Sequence, residues 1–323
     1  MDDLYSAVFE GSSLLFDCYP GGNDTFVFCN RKVGRSSYGR LDQVIRSRYP
    51  HFEQGAVLER TRRDRAVVRV QMIGGEFSPN TVRSVAALIA DLYCRDRKAI
   101  PFAHMDLVKV SRECISFPLE VSGTKKIMQA SVWAAGDQWH VELEMADAGS
   151  VRIHRSLPLK FDDEECRCDL VFLEGMTQVL IPESEVPFVR SRLTLFRRIV
   201  AARQQLGLQS CPAFSLVWWS DQGGQRKIQP VSYVTKSDVC IDETGSGAAA
   251  VALAVARDDG HACGIESIQQ PSGIEIKVRT EPSIRGMSPA RVYLSGPVQL
   301  RGELNSSYEA PRYAVNRRFY LVR

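Results

Sequence analysis

The segment Glu-Thr-Gly-Ser-Gly at residues 243–247 restricts most strongly what this chain can form. A β-branched run, Val231 to Ile241, precedes it and predicts a strand, and the alanine-rich run from Ala248 to Ala256 predicts a helix. Glycines let a ligand approach the backbone of the turn, and the first helical turn offers unpaired N–H groups at a positive dipole end. The segment therefore predicts a binding site for an anion, most simply a carboxylate.

The same order of elements occurs much earlier in the chain. Residues 67–73 have the pattern of a strand, residues 74–80 that of a turn, and residues 81–92 carry apolar side chains at helical spacing. A single Gly-rich turn is commonly only a tight connection, but two such units favour a pair of related halves. We therefore expect two helix N-termini to face one ligand in a cleft between these halves.

The length of the chain, 323 residues, allows two domains, which we assign to residues 1–150 and 151–323. Its hydrophobic share of 44% and charged share of 24% are ordinary for a soluble globular protein. No stretch approaches the ~18 apolar residues that a membrane span needs, and the acidic start is unlike a signal peptide. These features predict a cytoplasmic protein without a membrane partner.

The charge argues against a nucleic-acid-binding protein, and the cysteines argue against a disulfide-stabilised one. A net charge of +3 with dispersed basic residues argues against a nucleic-acid partner. Nine cysteines, an odd count, fit a reducing compartment better than a disulfide framework. Cys166 and Cys168 form a close pair, but no second pair or histidine cluster completes a zinc site, so we expect no metal ion.

Strands, a Gly-rich turn, a central helix and further strands follow one another twice along the chain. This order predicts an α+β fold of two pseudo-symmetric β-rich halves, each wrapped around a central helix. The periodic run from Val186 to Leu206 predicts the longest helix, entered at residues 182–185. The apolar residues expected on its buried face are Val189, Leu193, Phe196, Val200 and Leu206.

Six short motifs occur in a characteristic order. They are Pro20-Gly21-Gly22-Asn23-Asp24, Glu53-Gln54, Gly75-Glu76-Phe77-Ser78-Pro79-Asn80, Thr244-Gly245-Ser246-Gly247, Gln270-Pro271-Ser272-Gly273 and Val292-Tyr293-Leu294-Ser295-Gly296-Pro297. Together they resemble the diaminopimelate epimerase-like superfamily, which includes proline racemase and the histidine racemase of opine metallophore pathways. The resemblance covers nearly the whole chain and implies the diaminopimelate epimerase-like fold.

The resemblance implies a cofactor-independent isomerase, with neither pyridoxal phosphate nor a metal, that acts at the α-carbon of an amino acid. In the family one cysteine takes the α-proton, and a second cysteine facing it supplies a proton to the other side. The corresponding positions here are Ser78 and Thr244, so both thiols are absent. The positions assigned to substrate contact are Asn23, Gln54, Asn80, Glu243, Gly245, Ser246 and Gly247.

Two hydroxyls in place of two thiols change the chemistry that such a site supports. A free thiol has a pKa near ~8.5, which a helix N-terminus lowers, whereas a hydroxyl is a weak base unless another group activates it. We therefore do not expect two-thiol racemisation, and instead expect a hydroxyl that works with a neighbouring carboxylate. The candidates for that carboxylate are Glu76, Asp242 and Glu243, because desolvation would raise their basicity.

Two other functions stay open at this point: a lyase, dehydratase or double-bond isomerase on the same scaffold, and a non-catalytic amino acid-binding or partner protein. Where the epimerases often have Gly-Asn-Pro-His, this chain has Gly-Met-Thr-Gln at residues 175–178, and Lys236 stands nearest to an expected arginine. Lysine cannot reproduce the bidentate contacts of arginine, so diaminopimelate itself is not expected as a substrate. The expected partner is a small amino acid-like molecule, and a homodimer is one option for assembly.

Overall fold

The computed structural model describes residues 8–9, 13–29, 33–145, 151–173, 176–211, 213–234, 239–242, 246–257, 265–281 and 291–304. Four helices of more than ten residues lie in these ranges: α1 (Tyr38–Arg48), α2 (Pro79–Arg95), α3 (Arg192–Gln205) and α4 (Ser246–Arg257). None of these described helices combines the length and the apolar character that crossing a bilayer requires.

Seventeen strands lie in the same ranges, and hydrogen-bonded pairings connect all of them. They are β1 (Leu14–Tyr19), β2 (Thr25–Cys29), β3 (Gln54–Glu59), β4 (Arg69–Met72), β5 (Lys109–Val110), β6 (Ile115–Val121), β7 (Ile127–Ala135), β8 (Gln138–Glu144), β9 (Arg152–Phe161), β10 (Glu164–Leu173), β11 (Met176–Pro182), β12 (Ala213–Gln222), β13 (Gln225–Val234), β14 (Val239–Asp242), β15 (Ile265–Gln269), β16 (Glu275–Glu281) and β17 (Arg291–Glu303).

A closed ring of strands surrounds α2. Each strand pairs with the next in the order β1, β2, β3, β4, β6, β7, β8 and β17, and β17 pairs back to β1. Every residue of α2 from Pro79 to Leu92 is buried, as expected for a helix that apolar neighbours contact on all sides. The helix predicted at residues 81–92 is therefore confirmed as the core of the N-terminal half.

The strands of the C-terminal half pair in the same succession. The pairs β10–β11, β11–β12, β12–β13, β13–β15, β15–β16 and β16–β17 are antiparallel, parallel, antiparallel, parallel, antiparallel and antiparallel. The pairs β1–β2, β2–β3, β3–β4, β4–β6, β6–β7 and β7–β8 have the same directions in the same order. The central helix of this second set is α4, which is buried from Gly247 to Ala256.

This repeat confirms the predicted α+β fold of two pseudo-symmetric β-rich halves, each wrapped around a central helix. The two halves also share structure, because β17 pairs with β16 of the second set and with β1 and β8 of the first. The division of the chain after residue 150 stays a prediction.

The prediction for residues 182–206 was wrong in three respects. The helix, α3, begins only at Arg192, and the longest described helix is α2. The buried side chains of α3 are Leu195, Arg198, Ile199 and Ala202, whereas Leu193 and Phe196 are 63% and 45% exposed. The run offers two apolar stripes, and the sheet covers the stripe that contains Leu195 rather than the one that the spacing favoured.

The strand predicted from Val231 to Ile241 is two strands. Val231 lies near the end of β13, Ile241 lies in β14, and the two strands pair antiparallel with Val231 opposite Asp242. Residues 235–238 between them lie outside the described residues. The chain therefore reaches the second Gly-rich motif along β14.

Candidate active site

Ser78 caps the N-terminus of α2. Its backbone is extended, Pro79 follows at the first helical position, and its Oγ accepts a hydrogen bond from the Thr81 N–H at 3.4 Å. This arrangement explains the local sequence, because serine is a preferred N-cap residue and proline fits the first turn of a helix. The Ser78 side chain is thereby held at the positive end of the helix dipole.

Gln54 accepts hydrogen bonds from two hydroxyl groups at this helix start. Its Oε1 lies 2.8 Å from Ser78 Oγ and 2.7 Å from Thr81 Oγ1, and both hydroxyls donate to it. An amide oxygen can only accept, so the Ser78 hydrogen points at Gln54. The structure thus brings together two predicted site residues, Ser78 and Gln54, from β3 and the start of α2.

A second polar chain joins the other predicted amides. Arg83 Nη2 donates to Asn80 Oδ1 at 2.9 Å, Asn80 Nδ2 donates to Asn23 Oδ1 at 3.0 Å, and Asn23 Nδ2 donates to Glu53 Oε2 at 2.8 Å. A guanidinium only donates and a carboxylate only accepts, so the two ends fix the direction of both carboxamides. Asn23 also has a positive φ of 65°, a conformation that asparagine tolerates well.

Arg83 is a residue that the sequence analysis missed. It is fully buried in α2, and no ion pair with a carboxylate is found for it in the described part of the chain. Burial lowers the pKa of its guanidinium to about 10, and neutral oxygens of Pro20 and Asn80 accept its hydrogens. A positive charge therefore lies behind the amide pair, and it favours an anion at the start of α2.

Gly247, near the start of α4, packs against the start of α2. A Cβ atom at Gly247 would lie 2.9 Å from Asn80 Oδ1 and 3.0 Å from Pro79 Cβ. The two helix N-termini are therefore in direct contact, and the ligand expected between them stays a prediction. Glu243, Thr244 and Gly245 lie outside the described residues, as does the side chain of Ser246.

The Gln-Pro-Ser-Gly motif packs on the Gly-Gly-Asn turn. Ser272 Oγ donates to the carbonyl of Gly21, and a Cβ atom at Gly21, whose φ is +88°, would lie 2.8 Å from Ile274 Cγ2. Gln270 is buried beside the same turn, and within the described ranges neither of its amide atoms has a partner. Motifs that are 250 residues apart in the chain thus meet around Asn23.

Glu76 does not assist Ser78 in this arrangement. Its carboxylate is folded back onto the turn, where a Cβ atom at Gly74 would collide with its Oε2. Burial raises its pKa, and the charge of Asp42 on α1 adds to that rise. Ser78 instead donates to Gln54, so the described contacts do not pair the Glu76 carboxylate with the Ser78 hydroxyl.

The described part of the site combines hydrogen-bonding side chains with positive groups. The two helix N-termini and the buried guanidinium of Arg83 are positive groups that favour an anion, whereas the Glu53 carboxylate, which accepts from Asn23, is a negative one. No three His, Cys, Asp or Glu side chains lie close enough to hold a metal ion, as far as the described residues extend.

Comparisons with known proteins agree with this fold. Solved structures that resemble the chain include a hydroxyproline epimerase from Agrobacterium vitis with bound trans-4-hydroxy-L-proline, at a TM-score of 0.60 and 12% identity over 91% of each chain. A probable proline racemase from Agrobacterium radiobacter K84 with bound carbonate has a TM-score of 0.63 and 10% identity over 91% of this chain and 93% of its own. A predicted epimerase from Pseudomonas aeruginosa has a TM-score of 0.55 and 12% identity over 91% and 99%.

These identities show the fold alone, and a search of curated proteins finds no match. The sequence itself is matched over residues 15–303 by the model of one protein family, described as the histidine racemase CntK N-terminal domain. That match includes all six motifs and both central helices. The chain therefore belongs to the histidine racemase CntK family, within the diaminopimelate epimerase-like superfamily.

Proposed function

We propose that this protein is a cofactor-independent isomerase that transfers a proton at the α-carbon of an amino acid or amino acid-derived acid. The observation that carries the proposal is the contact of Gly247 with Pro79 and Asn80, which joins two helix N-termini. Residues 78 and 244 each lie just before or at such a start. In this proposal Ser78 and Thr244 stand on opposite sides of the α-carbon.

The positive groups at this junction support carbanion chemistry. Removal of the α-proton leaves a carbanion whose charge spreads into the carboxylate of the substrate. Preorganised N–H donors at two helix starts stabilise that charge, and the buried guanidinium of Arg83 adds to the potential. This reaction needs neither pyridoxal phosphate nor a metal ion. We propose that it takes place in the cytoplasm and serves biosynthesis.

The hydroxyls act as proton relays in this proposal. One face of the α-carbon loses its proton through a hydroxyl to a carboxylate, Asp242 or Glu243. The other face receives a proton through the second hydroxyl, which takes a replacement proton from water while the carboxylate releases its proton to water. One proton leaves and one arrives, so the substrate is inverted without net change. Glu76 is left out of this role because its carboxylate lies against Gly74 and the Ser78 hydroxyl donates to Gln54.

Solvent exchange tests the proposal. The protein is incubated in D₂O with L-histidine, L-proline and trans-4-hydroxy-L-proline, and the α-position is followed by NMR together with chiral chromatography. Deuterium uptake with inversion of at least one of them is expected. Consumption without inversion would indicate the lyase instead, and absence of both would overturn the proposed activity.

One observation favours a second function, amino-acid binding without chemistry. Ser78 Oγ already donates to Gln54 and accepts from the Thr81 N–H, so its hydrogen-bonding groups are engaged within the chain. A hydroxyl held in this way serves as a helix cap. Calorimetric binding of an amino acid that shows no deuterium uptake would support this second function over the first.

A further inference from the structure

Gln178 is a buried residue of β11 that the described fold leaves unsatisfied. It is 0% exposed, and neither its Oε1 nor its Nε2 has a hydrogen-bond partner among the described residues. A buried carboxamide without partners is unfavourable, and native proteins rarely keep one without a reason. The residue therefore points to a group that binds it.

Two serines extend this polar position across the neighbouring strands. Gln178 lies opposite Ser215 in the β11–β12 pairing, and Ser215 lies opposite Ser232 in the β12–β13 pairing. The two serine Oγ atoms are 2.8 Å apart. All three side chains are at most 2% exposed, so they form one buried polar row, which we call the Gln178 row.

The alternation of side chains shows which way the Gln178 row faces. Leu180 and Val217 follow Gln178 and Ser215 by two positions, and they belong to the core cluster that contains the residues of α4. Intervening residues such as Val179 and Leu216 belong to the separate cluster around α3. Side chains two apart on a strand share a face, so the row faces α4.

The row also borders β14, the strand that precedes the second Gly-rich motif in the sequence. Ser232 is opposite Ile241 in the β13–β14 pairing, and β14 ends at Asp242, directly before residues 243–247. In the N-terminal half, Gln54 lies on β3, the strand that corresponds to β12 in the matching order of pairs, and it bonds Ser78 at the start of α2. The Gln178 row thus includes a position on β12, the strand that corresponds to that of Gln54, and it ends beside β14.

We propose that the Gln178 row binds the side-chain group of the amino-acid ligand, and that this group is uncharged and both donates and accepts hydrogen bonds. The proposal rests on the proposed function and deepens it by naming the substrate class. A carboxamide supplies one acceptor and two donors, and a hydroxyl supplies both kinds. None of the three side chains carries a charge, so a ligand carboxylate or ammonium group would be buried there without compensation.

Calorimetry with amino acids of similar length tests this preference. L-glutamine is the probe, and L-glutamate and L-lysine are its charged counterparts. The wild-type protein is expected to bind L-glutamine at least tenfold more tightly than either of them. Gln178→Leu is expected to bind L-glutamine at least tenfold more weakly while its melting temperature stays equal or rises, because an unsatisfied buried amide is removed.

Gln229→Leu is the matched control. Gln229 is also a glutamine with an unpartnered Nε2, but it lies on the opposite face of β13, together with Val231 and Tyr233. Its replacement is expected to leave L-glutamine binding unchanged. A Gln178→Leu protein that keeps the wild-type preference would overturn the proposal, as would tighter binding of L-glutamate or L-lysine, or binding of none of the three.

The failure of this proposal is separate from the failure of the proposed function. L-glutamine binding that depends on Gln178 without deuterium uptake by any amino acid would leave the Gln178 row intact and overturn only the catalysis. Deuterium uptake that Gln178→Leu leaves unchanged would overturn the role of the Gln178 row and leave the proposed catalysis intact.

Discussion

Replacing Gly247 by alanine should force apart the first turns of α2 and α4. The added Cβ would lie 2.9 Å from Asn80 Oδ1, 3.0 Å from Pro79 Cβ and 3.1 Å from Leu294 Cδ2. Two of these atoms belong to the buried first turn of α2, which has little room to move. Inserting one carbon into such packing costs about 1–3 kcal/mol.

Gly39 provides the matched control for this substitution. It is the second residue of α1, as Gly247 is the second residue of α4, and a Cβ atom at Gly39 would meet nothing within 4 Å. Both substitutions gain the same preference of a helix for alanine, which is up to ~1 kcal/mol in a helix interior. The difference between the two variants therefore isolates the packing of α4 against α2.

Urea unfolding of the two variants measures this difference. Gly39→Ala is expected to be as stable as the wild type or more stable, and Gly247→Ala to be less stable than Gly39→Ala by about 1–3 kcal/mol at an unchanged m-value. If the two variants unfold at the same urea concentration, the helix starts do not press on each other, and the reasoning about the candidate site is refuted.

Three further substitutions test single groups by the same unfolding assay. Glu76→Gln should stabilise the protein at pH 7, because burial raises the pKa of Glu76 and its ionised form weakens the fold. The gain in stability should vanish below pH ~4, where the carboxyl is protonated in the folded and the unfolded protein. A gain that is the same at every pH would contradict this account. Arg83→Lys should lose stability at pH 7 and regain part of it towards pH 9, because a buried ammonium has a lowered pKa; a pH-independent loss would argue against the buried site. Gly21→Ala should destabilise more than Gly273→Ala by about 1–3 kcal/mol, since both have positive φ but only Gly21 would meet the Ile274 side chain, and equal losses would speak against that contact.

Much of the local structure around the candidate site could be predicted from the sequence, because each element has its own pattern. A strand, a Gly-rich turn and an apolar helix have distinct patterns, so α2, the turn that precedes it and α4 were found. Asn23, Gln54, Ser78 and Asn80 were assigned because their motifs resemble those of the family. The structure joins Ser78 to Gln54 and Asn80 to Asn23 by hydrogen bonds, and their roles at a substrate stay predictions.

Other parts depend on tertiary packing that no local pattern reports. The sequence presents Arg83 as one charge within an apolar helix, and only the closed ring of strands shows that this charge is buried. The exposed side of α3 could not be predicted either, because Leu193 and Leu195 both belong to apolar stripes and only one of these stripes meets the sheet. Gln178 was noted only as part of a departure from a family motif. Its burial could not be predicted, because it depends on how β11 packs in the sheet.

The claim that residues 78 and 244 face one substrate is tested most directly by placing cysteine at both positions. Ser78→Cys, Thr244→Cys and the double variant are compared in D₂O with the three amino acids of the exchange panel. A thiol is a far better base than a hydroxyl, and paired acid and base groups each contribute roughly 10²-fold or more. If residues 78 and 244 face one α-carbon, the double variant should exchange and invert its substrate about 10²-fold faster than either single variant. A double variant that is no faster than the better single variant would show that the two positions do not share a substrate.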